Sequence, residues 1–274
     1  MILNNFDIDV ESILLSGSCF RIFKEKDDSF TVIFTDRVVN LKQDKDKLIV
    51  KSSNYDNLEN IIREFFDLNR DYDSINKELI KRNKDLTEMV NKCKRYRILN
   101  QEPFEMCISY IISQNNNVKR ISKSIEEISI KYGTKITFDN KDYYLFPRYE
   151  QIKNLKESDF RDLGVGFRDK YLVDFLSKYK SLKDINNLNT KDALKELMSV
   201  KGIGLKVASC ILMFGYKRLD VFPIDTWVRH YISENYNIKD DINEISKFSE
   251  KSFGEYSGLV IQYMFHVQRN IKGE

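Results

Sequence analysis

The fold is decided by the stretch "VKGIGLKVASCILMFGYKRLDVFPIDTWVRHYI", residues 200–232. Gly202 and Gly204 stand two residues apart, Lys206 follows them, and Asp225 comes about twenty residues later. Apolar residues recur at helical spacing in "TKDALKELMSV" before the glycines and in "LKVASCILMFG" after them. The stretch therefore predicts two helices joined by a short glycine loop, a helix-hairpin-helix over residues 190–215, with Thr190 capping the first helix.

A glycine loop of this kind exposes backbone N–H groups at the start of the second helix. The helix dipole favours an anion there, and a DNA phosphate can bind without any dependence on base sequence. Gly202 and Gly204 are therefore predicted to contact DNA, because glycine permits a close approach of the backbone. The alternative is a plain helix–helix connection in which the glycines serve packing.

Lys206 and Asp225 together suit the breaking of an N-glycosidic bond. A lysine attacks only as the neutral amine, and the apolar helix "VASCILMF" favours that form. Departure of a base leaves positive charge on the sugar, which a carboxylate at Asp225 can stabilise. Taken singly, Lys206 is better explained as a solvated helix residue, and Asp225 as the N-cap of the helix beginning "TWVRHY"; taken together at this spacing, they favour the catalytic interpretation.

The pattern Gly-Ile-Gly-x-Lys-Val-Ala, followed by Val-Phe-Pro-Ile-Asp, resembles the helix-hairpin-helix DNA glycosylase superfamily. For the lyase branch of that superfamily, the resemblance implies that Lys206 is the nucleophile, which captures the sugar C1′ as a Schiff base. It also implies that Asp225 is the second catalytic residue. A module that only binds DNA has no need of that aspartate.

Within the superfamily, the chain is similar to the 8-oxoguanine DNA glycosylase/AP lyase family over nearly its whole length. "LLSGSCFR" is similar to the family's "SGQxFRW" stretch, which implies that the Gly17 carbonyl accepts the N7 proton by which oxidised guanine differs from guanine. The resemblance also implies that Cys210 and Phe265 close the base pocket. Backbone flexibility at a strand start is the alternative for Gly17, and core packing is the alternative for Phe265.

Two further segments resemble the family's contacts to DNA. From "SQNNNVKRI" the resemblance implies that Asn115 fills the gap left by the flipped base and that Arg120 contacts the orphaned cytosine. From "LGVGFRDKY" it implies that Phe167 is a wedge beside the flipped nucleotide and that Arg168 is a second cytosine contact. An ordinary helix start in an Asn-rich chain and a core aromatic are the alternatives.

The chain also departs from the family. Trp227 stands two residues after Asp225, where eukaryotic members have a histidine, so the contact to a flanking DNA phosphate is expected to be lost or replaced by stacking. The family glutamine that reads the Watson–Crick edge of the base aligns with Ile261, and Gln262 is adjacent. The contact to the base edge therefore stays open.

Outside these motifs, the chain predicts an α+β protein. Four stretches rich in β-branched and aromatic residues predict an antiparallel sheet: "SCFRIF", "SFTVIFT", "RVVNLKQ" and "KLIVKSS". From residue 57 onward helical periodicity prevails. We expect an N-terminal sheet domain with flanking helices over residues 1–100. A helical, two-lobed glycosylase body over residues 101–274 is expected to hold the hairpin at its cleft.

Composition narrows the class of protein further. The 274 residues are 42% hydrophobic with a formal net charge of +3, so a DNA-binding surface has to be local. No apolar run approaches the ~18 residues that a membrane span needs, and "MILNNFDIDV" lacks the features of a signal peptide, so we expect a cytoplasmic protein. The four cysteines, Cys19, Cys93, Cys107 and Cys210, are too scattered for a metal site and are predicted to be free buried thiols.

The sequence thus predicts a bifunctional DNA repair glycosylase that flips out and excises 8-oxoguanine and then cleaves the abasic strand by β-elimination. The expected partner is double-stranded DNA that contains oxidised guanine, and the expected state is a monomer with no membrane contact. No organic cofactor or catalytic metal is expected. The family resemblance suggests a structural sodium or potassium ion on the backbone carbonyls of residues 200–203.

Two alternatives remain from the sequence. One is a glycosylase of the same superfamily that acts on another damaged base, and the other is a non-catalytic helix-hairpin-helix DNA-binding protein. No cysteine follows Cys210, which argues against the branches that carry an iron–sulfur cluster. Lys206 argues against the alkylated-base glycosylases, which lack that lysine.

Overall fold

The N-terminal part of the protein is a five-stranded antiparallel sheet with strand order β1-β5-β4-β3-β2. The computed structural model describes the backbone of residues 1–272 and the side chains of residues 1–269. The elements of this part are β1 (Ile2–Leu3), α1 (Val10–Leu14), β2 (Ile22–Lys24), β3 (Phe30–Ile33), β4 (Val38–Asp44) and β5 (Lys47–Ser52). The predicted sheet is confirmed, although only the end of "SCFRIF" is strand, because the residues before Ile22 form a loop.

Buried and exposed side chains alternate along the strands, so that one face of the sheet packs on the core. Along β5, Leu48 and Val50 are buried whereas Lys47 and Lys51 are exposed, as expected for a sheet with one face in the core. The turn between β4 and β5 places Lys45 at a positive φ of 54°, which a tight hairpin requires.

A second, two-stranded sheet was not predicted from the sequence. It follows α2 (Leu58–Phe65), α3 (Tyr72–Arg82), α4 (Thr87–Lys92), α5 (Pro103–Ser113) and α6 (Val118–Tyr132), and consists of β6 (Thr134–Phe138) and β7 (Lys141–Leu145). The turn residues Asp139 and Asn140 both have positive φ angles, 48° and 60°. Tyr143 of this hairpin packs on Ile33 and Val38 of the first sheet.

The remaining helices build the hairpin and the C-terminal part of the chain. They are α7 (Tyr149–Ile152), α8 (Glu157–Arg161), α9 (Asp169–Lys178), α10 (Thr190–Met198), α11 (Leu205–Tyr216), α12 (Thr226–Tyr236), α13 (Ile242–Phe253) and α14 (Ser257–Lys272). The predicted pair of helices around the two glycines is present as α10 and α11. The predicted cap is wrong by one residue, because the Asn189 side chain accepts from Asp192 N, whereas the Thr190 hydroxyl donates to Asp220 at 2.5 Å.

The helices form two groups. In one group α5 packs on α6, α9 and α11, and in the other α14 and α13 return to pack on α4 and α3. The return is fixed by Tyr263, whose hydroxyl donates to Asn76 at 2.9 Å and whose carbonyl accepts from the Cys93 thiol at 3.8 Å. The predicted α+β architecture is confirmed, and the division after residue 100 stays a proposal.

The cysteines have the predicted state, because Cys19, Cys93, Cys107 and Cys210 are all free and buried. Within the described part of the chain, no group of three or more histidine, cysteine or acidic residues could hold a metal ion. Among the helices of residues 1–272, none is long and apolar enough to cross a membrane.

Candidate active site and DNA interface

A cavity of about 150 Å³ brings five of the predicted site residues together. Gly17, Lys206, Cys210, Asp225 and Phe265 all line it, although they come from four separate segments of the chain. The wall is completed by Gln262, which the sequence offered only as the neighbour of Ile261, and by residues that the sequence did not indicate for the site: Ser16, Ser18, Tyr110, Phe214, Pro223 and Arg269. The predicted nucleophile and the predicted carboxylate therefore face one shared space.

Lys206 and Cys210 lie one turn apart on α11 and contact each other. Burial raises the pKa of the Cys210 thiol to about 11, although its hydrogen bond with Lys206 and the charge of that lysine act in the opposite direction. A thiol with so high a pKa is protonated near pH 7 and is a poor nucleophile. The thiol is therefore not a competing nucleophile, and it forms part of the cavity wall beside the Lys206 amine.

Asp225 is held at the cavity by the helix that it begins. Its Oδ1 accepts from Val228 N at 2.8 Å, which satisfies one of the unpaired N–H groups at the start of α12. The carboxylate also acts electrostatically on Cys210, where its charge raises the pKa of the thiol. The two readings of Asp225 from the sequence, helix cap and site carboxylate, are thus compatible in one geometry.

Gly17 lies in the loop between α1 and β2 with a positive φ of 81°. A Cβ at this position would lie 3.0 Å from Arg269 Nη2 and 3.4 Å from a methyl carbon of Val118. The backbone conformation therefore favours glycine here, and a larger residue would also have to displace the end of the Arg269 side chain. The loop presents its backbone to the cavity, as reading a base through a main-chain carbonyl would need.

Phe265 forms an aromatic wall together with Trp227. The two rings stack with centroids 4.3 Å apart and an angle of 24° between their planes. Trp227 also lies 5.1 Å from the Tyr231 ring, so it is supported on its own helix. Trp227 thus borders the base pocket through Phe265, and the loss or replacement of the phosphate contact at this position stays a prediction.

The contact to the base edge, left open by the sequence, concerns residues of α14. Ile261, which aligns with the family glutamine, is fully buried in the core and does not line the cavity. Gln262 and Arg269 line it together with Phe265. Their spacing of three and four residues puts them on one helix face, and this spacing is the signal in the sequence that could have identified them.

Arg168 contacts the loop that contains the predicted gap-filler Asn115. Its guanidinium is buried, and its Nε donates to the Gln114 carbonyl at 2.9 Å and its Nη2 to the Asn115 carbonyl at 3.1 Å. Asn115 itself is exposed with a positive φ of 47°. Arg168 therefore fixes the conformation of this loop, and its contact to a cytosine stays a prediction.

Arg120 and Phe167 are both exposed near this loop. Arg120 lies in the first turn of α6, close enough for its charge to lower the pKa of Arg168 in addition to the larger effect of burial. The Phe167 ring is 50% exposed, with the Arg168 guanidinium 4.5 Å from its centre and the Tyr171 ring edge-on at 6.1 Å. The Phe167 ring, the predicted wedge, thus projects outward while Arg168 and Tyr171 support it from the protein side.

The two hairpin glycines differ in what surrounds them. Gly202 has a positive φ of 84°, and a Cβ there would come within 2.4 Å of the Tyr171 ring. Gly204 is the N-cap of α11, and no atom lies within 4 Å of the position that its Cβ would take. Gly202 thus serves packing against α9, whereas Gly204 leaves open space before the first N–H groups of α11.

Comparisons with known proteins bear on the whole chain. Residues 1–107 match the model described as 8-oxoguanine DNA glycosylase, N-terminal domain. Residues 108–254 match the HhH-GPD superfamily base excision DNA repair protein model. Among curated proteins, the chain is 28% identical over 214 residues to a probable N-glycosylase/DNA lyase of Methanothermobacter thermautotrophicus, an alignment that covers 68% of each protein.

Solved structures agree with these matches. The 8-oxoguanine glycosylase/lyase of Clostridium acetobutylicum, in complex with dsDNA containing cytosine opposite to 8-oxoG, has a TM-score of 0.91 and 33% identity, covering 99% of this chain and 95% of that one. The structure of MBOgg1 in complex with a low affinity DNA ligand has a TM-score of 0.92 and 32% identity, covering 99% and 96%. Since fold, family models and full-length relatives agree, the chain belongs to the 8-oxoguanine DNA glycosylase family, within the HhH-GPD superfamily of base excision DNA repair proteins.

Proposed function

We propose that the protein excises 8-oxoguanine from duplex DNA and then cleaves the abasic strand, with Lys206 as nucleophile and Asp225 as the carboxylate that stabilises the sugar. The observation that supports this most directly is the shared cavity, which both side chains line together with Gly17, Cys210 and Phe265. The N-glycosylase/DNA lyase relatives support the same reaction class.

The chemistry follows from what each group faces. As the bond between C1′ and N9 breaks, its electron pair leaves with the base and positive charge develops on the sugar, where the Asp225 carboxylate is favourable. The Lys206 amine then bonds C1′ and loses a proton, and opening of the sugar ring gives the Schiff base. Removal of a C2′ proton from that imine expels the 3′ phosphate, which is the β-elimination.

Recognition of the lesion is proposed to fall to the residues around the cavity. The Gly17 carbonyl accepts the N7 proton that oxidised guanine has and guanine lacks, while Phe265 stacks on the base opposite Cys210. Gln262 takes the base-edge contact that Ile261 is too deeply buried to make. A site built around such a donor rejects a base without it, since the acceptor would be left unpaired.

The DNA face is proposed to lie across the mouth of the cavity. The N–H groups that follow Gly204 at the start of α11 bind a backbone phosphate. Asn115 and Phe167 fill and wedge the duplex beside the flipped nucleotide, and Arg120 and Arg168 contact the orphaned cytosine. At Trp227 the phosphate contact of the eukaryotic members is proposed to be lost, and the indole ring stacks on Phe265 at the edge of the base pocket instead.

Four broader expectations are retained as proposals. They are a monomeric state, a cytoplasmic location, a domain division after residue 100, and a structural monovalent cation on the carbonyls of residues 200–203. The Val200 carbonyl accepts from Ile203 N at 3.1 Å, which leaves its second lone pair for such an ion.

Borohydride trapping on a duplex with 8-oxoguanine opposite cytosine tests the proposal. Wild-type protein is expected to form a covalent protein–DNA adduct, and Lys206→Gln is expected to form none. Lys247→Gln is the charge-matched control, because Lys247 is exposed on α13 and pairs only with Glu244 in the described structure. An adduct in Lys206→Gln would exclude this nucleophile.

A wild-type protein that neither forms the adduct nor releases 8-oxoguanine would contradict the enzyme assignment itself. Salt-dependent binding to DNA without trapping would then identify a non-catalytic DNA-binding protein. An adduct with an alkylated purine, but none with 8-oxoguanine, would place the activity on another damaged base.

A further inference from the structure

Arg269 places a positive charge inside the base pocket. It lies on α14 one turn after Phe265 and lines the same cavity as Lys206 and Asp225. Its Nη1 donates to the Leu15 carbonyl at 2.9 Å, which anchors the guanidinium beside the loop that contains Gly17. Its Nη2 lies 3.0 Å from the point that a Cβ on Gly17 would occupy, so the guanidinium rests directly against that glycine.

The anchored guanidinium keeps donors for a ligand. Arginine carries five N–H groups in a plane, and the bond to Leu15 uses only one of them. Within residues 1–269 no carboxylate lies within ion-pair distance of Arg269, and Glu11 and Asp9 on the nearby α1 segment bond to Lys24 and Ser12 instead. The remaining donors are thus free to meet an acceptor that enters the cavity.

The lesion offers acceptors at the matching place. In an oxidised guanine the N7–H group is flanked on either side by the oxygens on C6 and C8. A base that donates N7–H to the Gly17 carbonyl has both oxygens next to Gly17, which is where the guanidinium lies. We propose that Arg269 donates a hydrogen bond to an exocyclic carbonyl oxygen that flanks N7 of the oxidised purine, an inference that rests on the proposed excision function.

Such a contact serves catalysis as well as recognition. When the bond from C1′ to N9 breaks, the departing base takes the electron pair, and the resulting negative charge spreads to its exocyclic oxygens. Those oxygens are the exocyclic ones on C6 and C8, and a cation at either of them interacts more strongly with the departing base than with the intact nucleotide. Loss of Arg269 is therefore expected to lower the rate of excision more than the affinity for DNA.

Arg269→Met tests this, because methionine retains apolar bulk and removes the charge and donors. We expect single-turnover excision of 8-oxoguanine to fall about 10- to 100-fold, the range for a hydrogen bond to a charged group. Affinity for a duplex with a tetrahydrofuran abasic site, which has no base to contact, is expected to stay within about twofold of wild type. Equal excision by Arg269→Met and wild type would overturn the proposal.

Arg95→Met is the matched control for a lost cation. Arg95 also donates to a backbone carbonyl of the N-terminal segment, Ile8 at 3.0 Å, but it does not line the base cavity. This control is expected to excise as wild type does. A parallel loss of abasic-duplex affinity in Arg269→Met, which Arg95→Met does not share, would show that Arg269 binds a phosphate and would overturn the proposal.

Two further arms complete the experiment. If Arg269→Met melts well below the control, Arg269→Gln replaces it, since glutamine can still donate to Leu15 but carries no charge. The same loss of excision is expected for Arg269→Gln, and excision at the wild-type rate would overturn the inference.

The second arm uses 8-oxoadenine as the substrate. 8-Oxoadenine has the C8 oxygen but an amino group on C6. Lowered excision of it in the variant identifies the C8 oxygen as acceptor, and unchanged excision identifies the C6 oxygen.

These experiments distinguish a failure of the proposed role of Arg269 from a failure of the proposed excision function. A wild-type protein that neither excises 8-oxoguanine nor forms the borohydride adduct contradicts the proposed function. A wild-type protein that does both, beside an Arg269→Met variant that matches it in every arm, contradicts only the role of Arg269.

Discussion

The carboxylate of Asp225 has two roles that substitution can separate. It caps α12 through Val228 N, and it faces the cavity that also contains Lys206. Asparagine caps a helix about as well as aspartate does, but it carries no charge to stabilise a sugar cation. The structural and the chemical role therefore respond differently to the same change.

Asp225→Asn is expected to lower the excision rate at least about 100-fold, because the stabilisation of developing charge is lost. The melting temperature and the affinity for an abasic duplex are expected to stay near those of wild type. Single-turnover kinetics, thermal unfolding and DNA titration measure the three quantities. A comparable fall in all three would mean that the residue is structural only.

The sequence predicts the catalytic pair of the site better than the residues that form the cavity wall. Lys206 and Asp225 could be predicted because motif spacing ties them together. Arg269 was missed and Gln262 was named only as the neighbour of Ile261. The rotation of α14 that turns both toward the cavity and Ile261 into the core depends on packing against distant helices.

In the hairpin between α10 and α11, the two glycines have different structural surroundings. Gly202 packs under the Tyr171 ring with a positive φ of 84°, whereas Gly204 has open space beside it. The first glycine is thus required by the fold, whereas the second leaves room for the phosphate that is proposed to approach the hairpin. Alanine at each position makes a matched pair that distinguishes the two requirements.

Gly202→Ala is expected to lower the free energy of unfolding by roughly 1–3 kcal/mol, from backbone strain together with displacement of Tyr171. Gly204→Ala is expected to change it by less than about 1 kcal/mol, the usual range for a helix cap. Affinity for duplex DNA is nevertheless expected to fall about tenfold in Gly204→Ala, because a methyl group would lie between α11 and a phosphate. Urea unfolding and DNA titration check both.

A second element, the N-terminal turn of α6, carries a charge that does not stabilise it. Arg120 is exposed there at the positive end of the helix dipole, and its charge lowers the pKa of nearby Arg168. Residues with no stabilising role at such a place are candidates for binding.

Arg120→Ala is therefore expected to leave the free energy of unfolding unchanged or to raise it by up to about 0.5 kcal/mol. The preference for cytosine opposite the lesion is expected to weaken, as measured by excision rates opposite each of the four bases. An unchanged preference would remove Arg120 from the set of cytosine contacts. Arg168→Ala, by contrast, is expected to destabilise the protein, since its guanidinium holds the Gln114 and Asn115 carbonyls.

Most helices and the main strands could be predicted from periodicity, whereas the β6–β7 hairpin could not. Its strands are exposed along much of their length, so the alternation of buried and exposed residues is weak. Asp139 and Asn140 are the residues that suit a left-handed turn, and together they are the one local signal for it.

Where the N-terminal part of the molecule packs on the helical part, charged side chains are buried. Arg21 is buried, donates to the Tyr144 carbonyl and lies 3.5 Å from Glu126. Burial raises the pKa of Glu105 to about 7, with Arg21 acting to lower it and Glu102 and Glu126 to raise it. Folding therefore favours the protonated form of Glu105.

A group whose pKa is raised by folding contributes its full stabilisation of the folded state at pH values below its pKa in the unfolded chain. That contribution is lost as the pH rises through its pKa in the folded protein. Between pH 4.5 and 7, charging Glu105 is thus expected to cost the folded protein up to about 3 kcal/mol. Glu105→Gln removes this cost, so its free energy of unfolding relative to wild type should increase from pH 5 to pH 7 and then level off. A difference that stays constant with pH would contradict the assignment.

The return of the C-terminal helices onto α3 and α4 lies beyond the reach of local patterns. Tyr263 contacts Asn76 and Cys93, residues far away in the chain, and these contacts also set the position of α14 at the cavity. Family resemblance could predict that Phe265 belongs to the pocket. Only the assembled molecule could indicate which of its neighbours on the helix do.

The stack of Trp227 on Phe265 gives the protein a built-in optical probe. Trp227 is the chain's single tryptophan, and its ring lies against the aromatic wall on which the extruded base is proposed to rest. Its emission should therefore change when that wall is covered, without any attached dye. Rapid mixing with lesion-containing duplex would then time the arrival of the nucleotide separately from the breaking of its bond.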